Sequence, residues 1–151
     1  MDAHAPADGD DLLLRSLADF RFELRKFLHF SENAALGAGL QPQQHQLLLQ
    51  AAGASVGTAV TIAYAAERLG LKHNSVVELV DRSEREGHLV RTADPCDKRR
   101  AILRVTRKGK QVLGRLAGDH AIELNELAPK LAQAMEHIGM HLRGDSVAEL
   151  Q

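Results

Sequence analysis

Apolar residues first fall into register at Leu13, Leu17, Phe20, Leu24 and Phe27, with spacings of four, three, four and three. That rhythm lays one stripe along a helix, which the sequence predicts from Asp11 to about Ala35. GAGLQP ends it: the glycines suit a helix C-terminus and Pro42 suits the first turn of a second helix, whose face includes Leu47, Leu48 and Ala51. GASVGTAV reads as a loop. Thr61 is placed to cap a short helix from Ile62 to about Leu69, stopped by Gly70. Val76, Leu79 and Val80 mark another from about His73 to Glu86, stopped by Gly87. The tight connection Gly70-Leu71-Lys72 between these two is a helix-turn-helix spacing.

The period then changes. HLVRT (88–92) and AILRV (101–105) are brief β-rich runs on either side of DPCDKRR, which predicts a hairpin with a charged tip. Thr106 restarts a helix, with apolar positions at Val112, Leu113, Leu116, Ile122, Leu124 and Leu127, and Pro129 is expected to break or kink it. A last helix carries Leu131, Met135, Ile138 and Leu142 at spacings of four, three and four. Residues 1–10 have no periodicity and read as a disordered tail. No internal repeat is visible.

Composition narrows the class. With 151 residues, one domain is expected, here 11–151. Aromatics are only 3% and Trp is absent, so the core must come from Leu, Val, Ile and Ala, which favours a mainly α protein. A single Cys excludes an internal disulfide framework and fits a reducing compartment. The start MDAHAPADGDD lacks the basic and apolar parts of a signal peptide, and no apolar run approaches the roughly 18 residues of a membrane span. A soluble cytoplasmic protein with no membrane partner is the expectation.

The net charge of −1 hides a segregation. Thr61 to Lys110 holds 12 Lys and Arg against 7 Asp and Glu, while the rest holds 7 against 13. Lys98, Arg99, Arg100, Arg104, Arg107, Lys108 and Lys110 follow one another with no acidic residue among them. A solvated face normally mixes its signs, whereas phosphate binding needs clustered cations. A polyanion partner follows.

Helix-turn-helix, then a hairpin with a cationic tip, framed by long striped helices, is the order of a winged helix. From about Phe20 to Leu127 the chain resembles the multiple-antibiotic-resistance regulator (MarR) family. The most specific part is Asp97-Lys98-Arg99 followed by Leu103, Thr106 and Gly109; Glu67-Arg68-Leu69-Gly70-Leu71, Leu79-Val80-Asp81-Arg82 and Gly87-His88-Leu89-Val90-Arg91 also match. The resemblance implies a mainly α winged helix-turn-helix with a small β-hairpin wing. Its lobe would span 42–106, and 11–35 and 107–151 would be mainly dimerisation helices. It also implies a homodimer on a pseudo-palindromic double-stranded DNA operator, acting as a repressor released by a small aromatic or phenolic effector.

Groove dimensions agree with that reading, since a helix fits the major groove and a slender arginine-tipped loop the minor groove. By analogy Arg99 is the minor-groove residue, flanked by Lys98 and Arg100. Asp97 is placed to pair with Arg99 and orient it, or merely to stiffen the tip. On the recognition helix, Lys72, His73, Asn74, Ser75, Glu78 and Arg82 lie at the N-terminal end or opposite the apolar face. Asn74 and Ser75 either read a base or phosphate, or cap the helix. Glu78 either accepts from a cytosine or repels phosphate. Ala65 and Ser83 stand where the family usually has leucines, so Tyr64, Val77 or a neighbour is expected to refill that space.

The resemblance implies an effector crevice around His29, Phe30, Asn33, Gln44, His45 and Leu48, residues that equally suit plain helix packing. His137 and His141, four apart, share a helix face and have two-ligand spacing, but no HExxH or Cys cluster accompanies them. Cys96 sits among cations that favour a reactive thiol, although redox regulators of this family carry their sensing Cys near the first helix. A redox- or zinc-responsive variant and a protein-interaction scaffold are the alternatives. No phosphate-binding glycine loop, G-x-S-x-G or Cys/His arrangement points to an enzyme, and no cofactor is expected.

Overall fold

Seven elements follow one another in the computed structural model, which describes residues 8–148. They are α1 (Asp8–Gly37), α2 (Pro42–Ala52), α3 (Ile62–Leu69), α4 (His73–Arg85), β1 (Leu89–Ala93), β2 (Ala101–Val105) and α5 (Arg107–Ala148). The fold is a mainly helical winged helix with one two-stranded antiparallel hairpin. Of the expected tail, residues 1–7 lie outside the described residues, and residues 8–10 belong to α1. Acidic residues such as Asp10 and Asp11 suit the positive end of a helix, which is why the helix starts before the apolar stripe does.

Pro129 does not end a helix: α5 runs through it. Proline removes one backbone donor and leaves the carbonyl of Asn125 without its usual partner. Both residues are exposed, so water can take that place. The first strand also starts one residue later than the β-rich run suggests. His88 is buried, its amide donating to the Ser83 carbonyl and its own carbonyl accepting from Thr106.

The chain forms two compact units, one of Ser31–Asp119 and the other of the residues up to 30 together with those from 120 onward. The first of these units holds the winged helix. It takes in the end of α1 and the start of α5, because Ala35, Val112, Leu113 and Leu116 belong to the same core as Leu40, Leu47, Leu48, Val76, Val80, Leu89 and Leu103. The local signals act as the sequence suggests. Thr61 accepts from the Tyr64 amide, and Gly70 closes α3 in the left-handed conformation at φ 64°, which glycine adopts without strain. Ala65 and Ser83 are fully buried, and Tyr64 packs at the edge of the core. The group that reaches Ser83 is the Gln44 amide, at 3.5 Å from its hydroxyl.

In the helical unit, Phe27 and Phe30 meet His120 edge-on, with ring centres 5.9 and 5.3 Å apart. The two stripes divide. Leu13, Phe20, Phe27, Leu131 and Ile138 are half-buried, while Leu17, Leu24, Met135 and Leu142 stay exposed.

Candidate nucleic-acid interface

α4 buries Val76, Leu79, Val80 and Ser83, and its spacing turns Asn74, Glu78 and Arg82, each four apart, toward solvent in one line. Lys72 is the N-cap, and no side chain caps the helix. Asn74 and Ser75 therefore do not serve as caps; Asn74, like Lys72 and His73, is exposed, and Ser75 is half-buried. The first-turn N–H groups have no side-chain acceptor, an arrangement suited to anionic oxygen.

The wing follows. β1 and β2 pair from Leu89↔Val105 to Ala93↔Ala101. At the base, the Thr106 hydroxyl donates to the Gly87 carbonyl at 2.6 Å and accepts from the Gly109 amide at 3.1 Å. A Cβ at Gly109 would stand 2.3 Å from the His88 carbonyl oxygen, so only glycine permits this approach. Arg91 reaches back to α4, donating to Glu84 at 3.1 Å and to Asp81, and these hydrogen bonds hold its guanidinium firmly protonated. His88, buried at the wing's foot, lies 3.7 Å from a Glu86 carboxylate oxygen. Its pKa is lowered by burial first and Lys108 second, against an opposing pull from Glu86.

At the tip, Arg99 donates to Asp97 from its backbone amide at 3.0 Å and from its side chain at 3.1 and 3.4 Å. The Arg99 side chain is still 90% exposed. Those bonds, the side-chain one foremost, hold the Asp97 carboxyl below the usual aspartate range. Arg100 behaves differently. It donates to a single oxygen of Asp94 from Nε at 3.0 Å and Nη2 at 2.7 Å, and the other oxygen of Asp94 accepts from the Cys96 amide at 2.9 Å. The Cys96 amide first, and Arg100 second, lower the Asp94 pKa. Lys98 and Cys96 are exposed. A groove of about 420 Å³, lined among others by His73, Val77, Arg91, Arg99 and Arg100, joins α4 to the wing on one face.

Sequence reasoning assigned no role to Asp94 or Arg91. An Asp opening a turn before Pro was the available signal for the first, because such residues bond backbone amides two positions on. The Arg91 partners come from another element and leave no sequence trace.

The six expected crevice residues divide between the units, His29 and Phe30 in the helical unit and Asn33, Gln44, His45 and Leu48 in the other. Gln44 is engaged internally: it accepts from the Gln41 amide at 3.0 Å and donates to Glu86 at 2.9 Å. His45 and Leu48 are buried, and His29 and Asn33 exposed. Among the described residues, no group of three or more His, Cys, Asp or Glu could hold a metal ion, and no helix is long and apolar enough to cross a membrane.

A sequence model of the MarR family matches residues 38–100. Over that stretch the chain is similar to the MarR family. That family comprises transcription regulators rather than enzymes. The HTH-type transcriptional regulator MhqR of Bacillus subtilis (strain 168) is 31% identical over 67 residues, covering 44% of this chain and 46% of MhqR, so the match spans about half of either protein. Among solved structures, a mutant of S. aureus MepR bound to an oligodeoxyribonucleotide is similar over 87% of this chain and 95% of its own, with a TM-score of 0.62 at 17% identity. CouR from Rhodococcus jostii RHA1, bound to p-coumaroyl-CoA, is similar over 82% of this chain and 81% of its own, with a TM-score of 0.60 at 23% identity. Both likenesses carry the winged-helix fold that the hairpin and α4 display.

Proposed function

We propose that this chain is a MarR-family regulator of transcription, homodimeric and sequence-specific, that acts in the cytoplasm on double-stranded DNA. α4 lies in the major groove, with Asn74, Ser75, Glu78 and Arg82 facing base edges and Lys72 and His73 facing phosphate. The wing enters the minor groove with Arg99, flanked by Lys98. The observation that carries this reading is the Arg99 guanidinium, 90% exposed at the wing tip yet directed by Asp97, on the same face as the start of α4. Exposed Leu14, Phe22, Ile122, Met135 and Leu142 on the terminal helices support a second copy as their cover, and two-fold symmetry then calls for half-sites about 10 bp apart. The DNA-bound MepR structure supports the first part, and the CouR complex with p-coumaroyl-CoA supports a small-molecule ligand; in our reading that ligand is a small aromatic or phenolic effector that releases a repressor.

Fluorescence anisotropy against duplex from the chain's own upstream region tests the reading. Two chains per duplex are expected, with affinity falling steeply as salt rises, because each neutralised phosphate releases counterions. Binding that ignores salt, or no duplex binding at all, would favour a protein-interaction scaffold.

A further inference from the structure

Arg99 and Arg100 are adjacent in sequence and look interchangeable as phosphate contacts, yet the fold treats them oppositely. Asp94, with a side chain only 6% exposed, accepts from Arg100 twice on one oxygen and from the Cys96 amide on the other. Its own amide donates to the Arg100 carbonyl at 3.3 Å, and the Arg100 amide donates to the Asp97 carbonyl at 3.0 Å. Backbone and side chains thus close the hairpin at the same two residues, and residues 95–99 form a short loop locked at its root. Were Arg100 to swing out to a phosphate, it would leave a buried carboxylate without its cation, a costly exchange. Holding a flexible arginine ready for its groove spares the ordering cost that would otherwise fall on binding.

We propose that Asp94 and Arg100 are positioning residues, a clamp that aims the wing so that Arg99 alone of the pair enters DNA. The proposal rests on the DNA-binding reading above. It inverts the simple electrostatic expectation, in which deleting an acid beside a polyanion tightens binding and deleting a cation weakens it additively.

The test uses the full-length chain and a duplex that the wild-type protein has selected from a random-sequence library. Asp94→Asn and Arg100→Ala should each weaken binding about tenfold, the scale of losing one specific contact. In an Arg99→Ala background, neither should weaken it further, because both act through Arg99. Amide exchange in the free protein should quicken at Cys96 in both variants, with the melting temperature nearly unchanged. Tighter binding by Asp94→Asn overturns the clamp, as does an additive loss for Arg100→Ala on top of Arg99→Ala. Equal binding by wild type and Arg99→Ala overturns the wing's role in DNA binding, and the clamp with it. Loss on Arg99→Ala without loss on Asp94→Asn removes the clamp alone.

Discussion

The winged-helix unit and the helical unit draw on the same few apolar residue types and spend them differently. In Ser31–Asp119 most leucines and valines close on one another, with Leu47, Leu48, Val76, Val80 and Leu89 wholly out of water and Leu36, Leu49, Val56 and Val90 exposed. In the other unit Leu12, Leu14, Leu17, Phe22, Leu24, Leu28, Ile122, Leu124, Met135, Met140 and Leu142 stay exposed. Scattered exposed leucines are ordinary, but so many on two helices mark a surface that awaits a partner. The first unit completes itself. The second leaves apolar faces open, which the proposed homodimer would cover.

The largest effect that would break this contrast comes from Leu14→Glu combined with Leu142→Glu. Both side chains are more than 60% exposed in the lone chain, so a charge there leaves the chain's own packing intact. Sedimentation should show dimer turning to monomer, and operator affinity should fall at least about a thousandfold, into the non-specific range. A double variant that remains dimeric would reassign those faces.

Next in size is Leu48→Ala in the closed core, which should cost about 2–5 kcal/mol in denaturant unfolding through the lost apolar contacts and the cavity left behind. A cost under about 1 kcal/mol would mean that the lobe repacks as loosely as a surface.

How legible each region was follows from the same contrast. α3 and the turn after it could be read to the residue because Thr61 and Gly70 act locally, through one hydroxyl and one left-handed φ. β2 and the start of α4 were equally plain. Pro129 misled because a helix end depends on whether water can replace a lost bond, and sequence does not report exposure. At the site, the Asp97 to Arg99 bond lies within reach of a two-residue spacing. The Asp94 to Arg100 pair spans the loop, and the Arg91 pairing with Asp81 and Glu84 joins two elements, so both needed coordinates. Gln44 shows the same limit: its partners, Ser83 and Glu86, are about forty positions away, and only packing brings them together.

The smallest effect sharpens the lobe's side of the comparison through pH. The fold holds buried His88 neutral, by desolvation first and Lys108 second, so its folded pKa is lower than in the unfolded chain. As pH falls, the unfolded chain takes up the proton first. The stabilisation is therefore complete above the ordinary histidine value of about 6.5 and is lost as pH drops through it toward the folded value. Melting temperature should decline between about pH 7.5 and 5.5, and His88→Gln should flatten part of that slope. An identical profile in the variant would move the effect to another group.

The central claim, one helix in the wide groove and one arginine in the narrow groove, is tested most directly by methylation interference on the selected duplex. Methyl groups at guanine N7 block the major groove and those at adenine N3 the minor groove. Wild-type binding should be blocked by both, with the adenine N3 positions flanking the guanines of each half-site, and Arg99→Ala should lose only the adenine interference. If adenine N3 methylation never hinders the wild type, or hinders Arg99→Ala just as strongly, the wing does not read the minor groove through Arg99.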